Sequence, residues 1–114
     1  MPHVKSLSIL LSELKEGAMQ AHMVDGREIL VCRTRDGIHA VDNICTHAYA
    51  RLCEGRLRGF RLICPLHGAS FDVRDGKALG LPAVQALPVH PVKVSGDSVE
   101  IDVEIPDERP LHWR

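Results

Sequence analysis

Cys45 and His47 are separated by one residue, Cys64 and His67 by two, and sixteen residues lie between the pairs. Thiolate and imidazole are good ligands for zinc and for iron–sulfur centres. Each half of this constellation supplies one of each. Structural zinc sites usually take two cysteines from one tight knuckle and two histidines from another segment, because one turn aims like ligands at one ion. Mixed pairs suit a different geometry. If two loops clasp a flat two-iron, two-sulfide cluster, each loop reaches both irons. If the cysteines of both loops then share one iron, the histidines of both loops share the other. Two readings of Cys45, His47, Cys64 and His67 follow: one [2Fe–2S] cluster, or a zinc ion in a non-redox interaction module. The cluster would have a distinctive charge. Two thiolates neutralise the dicationic oxidised core, where four would leave a dianion, so a mixed ligand set accepts an electron more readily.

The chain that must position these residues has 114 of them, one domain by length. Nearly half the residues are apolar, but only 4% are aromatic, so Val, Leu, Ile and Ala must build the core. A net charge of −1 argues against nucleic-acid binding. No run of apolar residues is long enough for a membrane span. The N-terminal residues lack the layout of a signal peptide. A cytoplasmic protein is the expectation, and in a reducing compartment four cysteines are better metal ligands than disulfide partners.

Turn signals recur at Asp25-Gly26, Asp36-Gly37, Arg58-Gly59, Asp75-Gly76 and Gly96-Asp97. Short apolar segments lie between them, at 19–24, 27–34, 38–42, 61–64, 92–95 and 99–103. Such punctuation predicts an all-β, antiparallel sandwich or barrel of short strands. Val99, Ile101 and Val103 alternate with acidic residues, the mark of a strand with one wet face. One helical turn is expected at 12–16, capped by Ser12 and stopped by Gly17. Residues 106–114 read as an extension beyond a single domain over 1–105. Charge is split: residues 44–77 carry +3 and residues 95–114 carry −4.

The motifs Cys45-Thr46-His47 and Cys64-Pro65-Leu66-His67-Gly68 resemble those of the Rieske iron–sulfur family. The nearest likeness is to the small ferredoxins of bacterial ring-hydroxylating dioxygenases. Gly68, Phe71-Asp72, Gly76 and Pro82 also fall where that family has its glycine, FD pair, turn glycine and proline loop. The resemblance covers roughly residues 4–103. It implies a cluster-binding lobe, about residues 44–70, inserted in the β scaffold, with the edges of His47 and His67 at its tip. It also implies the role of a one-electron carrier from a flavin reductase to a terminal oxygenase that dihydroxylates an aromatic ring. The chain is too short for the mononuclear iron domain of an oxygenase. It also lacks a GxGxxG fingerprint, so it is read as an electron-transfer component and not as an enzyme. The other class kept open is a Rieske small subunit of another oxidoreductase, such as a nitrite-reductase-like complex.

Ala48, Tyr49, Ala50, Leu66, Leu81 and Pro82 are expected to ring the tip. Respiratory members of the family carry an extra cysteine in each loop and hydroxyls that bond to cluster sulfur. The matching positions here hold Ala50, Leu66, Ala69 and Phe71, which predicts a low potential. Cys32 reads as a core residue and Cys53 as a lining residue. His3, His22, His39, His90 and His112 lack ligand spacing and read as surface or turn residues. Trp113 is expected to pack the tail onto the barrel.

Overall fold

A computed structural model describes residues 2–46, 49–66, 68–81 and 85–110. The described residues form eleven strands: β1 (His3–Leu10), β2 (Met19–Val24), β3 (Arg27–Thr34), β4 (Gly37–Asp42), β5 (Arg56–Arg58), β6 (Arg61–Ile63), β7 (Ser70–Asp72), β8 (Ala78–Gly80), β9 (Val89–His90), β10 (Val92–Ser95) and β11 (Ser98–Ile105). They make three sheets, ordered β1-β11-β10, β2-β3-β4-β9 and β5-β6-β7-β8. Every strand pair is antiparallel. The expected all-β architecture is therefore the one adopted.

The sheet of β2, β3, β4 and β9 is a shared middle layer. Strand side chains point alternately to opposite faces. Leu30 and Cys32 of β3 pack on one side with Leu62, Phe71, Val73 and Leu87. Ile29 and Val31 pack on the other with Val99, Ile101, Val103 and Ile105. This is why Ile29-Leu30-Val31-Cys32 is an unbroken apolar run: both faces of β3 are buried. Strand β11 has one wet face, and its four apolar residues are buried while Glu100, Asp102 and Glu104 are exposed. Each fully buried Val, Leu or Ile contributes on the order of 1.5–3 kcal/mol.

Backbone conformation agrees with the turn residues. Asp25 and Gly26 both have positive φ, 52° and 93°, the signature of a two-residue hairpin whose twist matches its strands. Gly76 has φ 77°, and a Cβ there would collide with the Leu87 carbonyl. The Gly76 carbonyl in turn accepts the Leu87 N–H at 2.8 Å.

Three local expectations change. The helical turn is a 3-10 turn over Leu11–Glu13, and the Ser12 side chain does not cap it. Instead Ser12 Oγ donates to Asp97 Oδ2 at 2.8 Å, tying the turn to the β10–β11 hairpin. Strand β1 was not anticipated, although Leu7 and Ile9 alternate with Ser6 and Ser8. His90 is buried, because its Nε2 lies 2.8 Å from Asp42 Oδ1. Arg27 grips the same carboxylate with two hydrogen bonds and donates a third to the Glu104 carbonyl, which joins the middle layer to β11. Burial alone would push the Asp42 carboxyl up, but the bonds from His90 and Arg27 hold it below its ordinary value.

Acid should weaken this scaffold in two stages. Burial lowers the pKa of His22 and of His39 below 6.5; for His39 the nearby Asp36 and Asp72 only partly oppose this. The unfolded chain therefore takes up these protons first, and stability falls as pH drops below about 6.5. Asp42 adds a further loss below about pH 4, where the unfolded carboxyl protonates first. The melting temperature should be level above pH 7 and decline from pH 6.5 to 5, and exchanging both His22 and His39 for Gln should flatten that decline. An unchanged slope in the double variant would place the proton uptake elsewhere.

Candidate metal centre

The first ligand loop leaves β4 at Asp42 and returns at the 3-10 turn of Leu52–Glu54. Its neck is narrow. An isolated antiparallel bridge pairs Ile44 with Arg51. Above it the Cys45 N–H donates to the Ala50 carbonyl at 2.8 Å and the Tyr49 N–H donates to the Cys45 carbonyl at 3.0 Å. Tyr49 adopts a left-handed φ of 53°, which reverses the chain at a cost of about 1 kcal/mol or more. Thr46 Oγ1 donates to the Gln85 carbonyl at 2.8 Å, so the segment after β8 braces this loop from outside.

The second loop grows from a regular hairpin. Strands β6 and β7 pair up to Ile63 with Ser70, and the Cys64 N–H then donates to the Ala69 carbonyl at 2.7 Å. Gly68 has φ 71°, a conformation that suits a residue without Cβ. Leu57, Leu62, Phe71 and Ala78 turn inward onto the cluster-side core. Alternation sends Arg56, Arg58 and Arg61 to the outer face of this small sheet, where all three are exposed.

These loops bring Cys45 and Cys64 together. Both are buried and neither is in a disulfide. Cys45 adjoins Cys64, and the Leu66 backbone amide faces the Cys64 sulfur. Burial pushes the Cys64 thiol up, the Leu66 amide opposes this, and the adjoining Cys45 adds to the rise. His47 and His67 lie outside the described residues, as do Ala48, Pro82, His112 and Trp113. Among the described residues no three His, Cys, Asp or Glu side chains gather as a metal site. The described part of the predicted set is thus a sulfur pair. Two adjacent unbridged thiols, one beside a backbone amide, fit a pair of soft thiolate ligands on one iron of an iron–sulfur cluster.

Of the remaining thiols, Cys32 lies in the core, and burial pushes it up to about 12, which makes it inert. Cys53 is half-buried; its sulfur accepts a hydrogen bond from Asn43 Nδ2 at 3.4 Å. Asn43 escaped the sequence reading. It is completely buried, and its partners Glu28 and Cys53 are fifteen and ten residues away. The only hint in the sequence is an amide placed two residues before a candidate ligand, Cys45.

Comparison with known proteins agrees with this geometry. The family model of the Rieske [2Fe-2S] domain matches residues 7–91. The ferredoxin component of a naphthalene 1,2-dioxygenase system from Pseudomonas aeruginosa is 40% identical over 96 residues, which is 84% of this chain and 92% of that protein. The solved ferredoxin of carbazole 1,9a-dioxygenase from Nocardioides aromaticivorans IC177 is similar with a TM-score of 0.78 and 37% identity, covering 82% of this chain and 91% of that one. A chain in the complex of reduced oxygenase and oxidized ferredoxin in carbazole 1,9a-dioxygenase is similar with a TM-score of 0.80 and 31% identity, covering 84% and 91%.

Proposed function

This chain belongs to the Rieske [2Fe-2S] family, and from that premise we propose that it carries single electrons from a flavin-dependent reductase to the terminal oxygenase of an aromatic-ring-hydroxylating dioxygenase system. The observation that carries this reading is the buried, unbridged pair of Cys45 and Cys64 in a chain 40% identical to such a ferredoxin. Cys45, His47, Cys64 and His67 are the proposed ligands. When bound, the cluster supplies reversible one-electron chemistry near the surface.

The protein's own part is to hold the cluster dry on one side and present it on the other. Leu62, Phe71, Val73 and Leu87 close the inner side. On the outer side, Tyr49, Leu66 and Leu81 are 67%, 47% and 83% exposed. In this reading they supply a low apolar rim suited to brief docking with two partners in turn. The flank of this rim is basic. Arg56 lines one groove with Cys64, Pro65 and Gly68, and Arg58 lies two residues further along the same face. The partner surface opposite this flank carries carboxylates in this reading. The four unpaired cysteines suit the reducing cytoplasm.

Rapid-mixing measurements of electron transfer to the oxygenase test the docking. Leu66→Glu and Leu81→Glu should each slow transfer about tenfold or more at limiting protein concentration, with the cluster spectrum unchanged. Transfer by the unaltered protein should also slow as salt screens the arginine flank. Equal rates in both variants would remove the tip as the electron port.

A further inference from the structure

The two ligand loops are held at their necks in different ways. The second continues a strand ladder that keeps its register through β6 and β7. The first has no named strand pair at its neck, but the isolated bridge of Ile44 with Arg51 and the Cys45 N–H on the Ala50 carbonyl. One amide group makes up the difference. Among the described residues Asn43 is the one polar residue with none of its surface exposed. Its N–H donates to the Glu28 carbonyl at 2.9 Å, and its own carbonyl accepts the Leu52 N–H at 2.7 Å. Its side-chain Oδ1 accepts the Cys53 N–H at 2.8 Å. Its Nδ2 donates to Glu28 Oε1 at 3.2 Å and to Cys53 Sγ at 3.4 Å. Glu28 also receives two hydrogen bonds from Arg51, at 2.9 and 3.2 Å. The start of the loop, its return and strand β3 of the rigid middle layer thus meet at one side chain.

We propose that Asn43 is a positioning residue for the metal centre. Its amide, clamped between Glu28 and the Cys53 backbone, fixes where the Cys45 sulfur stands opposite Cys64. The proposal rests on the reading of Cys45 and Cys64 as cluster ligands. Asparagine suits the place because it is a donor and an acceptor at once and carries no charge into the core. Alanine would leave the Cys53 N–H unsatisfied inside the protein and release the loop from Glu28.

Three variants of the holoprotein test this: Asn43→Ala, Glu28→Ala and Val103→Ala. Glu28→Ala removes the side-chain acceptor of Asn43 Nδ2 and leaves Asn43 Oδ1 on the Cys53 N–H. Val103→Ala hollows the core on the far side of the middle layer. Loss of visible absorbance under an iron chelator, the EPR spectrum and the midpoint potential are the readouts. Asn43→Ala should release its cluster about tenfold faster or more, since it removes three side-chain hydrogen bonds and leaves the Cys53 N–H unsatisfied, with a displaced EPR spectrum and potential. Glu28→Ala should move the same readouts in the same direction. Val103→Ala should lower the melting temperature and leave spectrum, potential and release rate as they were. Parent-like behaviour of Asn43→Ala would overturn the proposal. So would the same spectral and release changes in Val103→Ala, since the effect would then be general loosening. Parent-like release, spectrum and potential in Glu28→Ala would overturn the role of the Glu28 clamp. A parent protein with no [2Fe–2S] spectrum would instead overturn the underlying ligand reading, and this proposal with it.

Discussion

Replacing His67 with alanine is expected to abolish the native cluster spectrum, and replacing Cys64 with serine to do the same. Each proposed ligand fills one coordination position, and no described neighbour is placed to substitute. Cys32 is held in the core as an inert thiol, and the Cys53 sulfur is already engaged by Asn43. Serine at position 64 would put a harder, more basic oxygen where Cys45 now meets a sulfur. Cys32→Ser and Cys53→Ser are the matched controls, and both should keep the Rieske EPR signal. The loss should also reach the fold. Without metal, two unbridged thiols face each other in the core, and binding free energy no longer supports the lobe. The melting temperature should therefore drop on iron removal by many degrees. A parent-like EPR spectrum from His67→Ala would show that the ligand assignment is wrong.

The second large effect concerns the reduction potential. Position 69 holds Ala and position 71 holds Phe, both fully buried in the packed cluster that contains Cys45 and Cys64. Neither side chain can donate a hydrogen bond to sulfur. A hydroxyl is present next door, but strand alternation turns Ser70 to the opposite face, where its Oγ accepts a hydrogen bond from Arg61 at 2.8 Å. Hydrogen bonds to sulfur stabilise the reduced cluster, so their absence lowers the potential. A value around −150 mV, the low end for Rieske centres, is expected. It should be level near neutral pH and fall in alkali, where the oxidised form loses imidazole protons more readily. Ala69→Ser with Phe71→Tyr should raise it, and protein-film voltammetry reads both effects. A parent midpoint well above roughly 0 mV would not suit a carrier between flavin and oxygenase. No rise in the double variant would refute hydroxyl tuning at these positions.

Sequence periodicity and turn signals carried most of the longer elements, the eight-residue β1 excepted, and failed at most of the short ones. Strand β11 was plain because one face is wet, and β3 because both faces are dry. Strands β5, β7, β8 and β9 have two or three residues each, too few for any period to register. The spacing singled out Cys45 and Cys64, which the fold brings together as buried neighbours. The supports of the metal centre were not legible. Asn43 and His90 take their roles from partners that only the folded chain brings near, Glu28 in one case and Asp42 in the other.

The first and last strands of this fold are hydrogen-bonded to each other, His3 opposite Ile105 and Leu10 opposite Ser98. A nascent chain therefore holds β1 without its partner until the final strand has been made. The β2–β3–β4 meander and the β5–β8 hairpins rely on nearer contacts and are synthesised well before that. The two cysteines can meet on a half-built protein whose outer sheet is still open. Closing that sheet is the slow, non-local step, as loop-closure entropy requires. Iron and sulfide delivered early would find the binding lobe preformed, and Ile29 and Val31 on the back of the middle layer would stay bare until the ends of the chain joined. Aggregation during synthesis should thus track damage to β1 or β11 more closely than damage to the cluster loops.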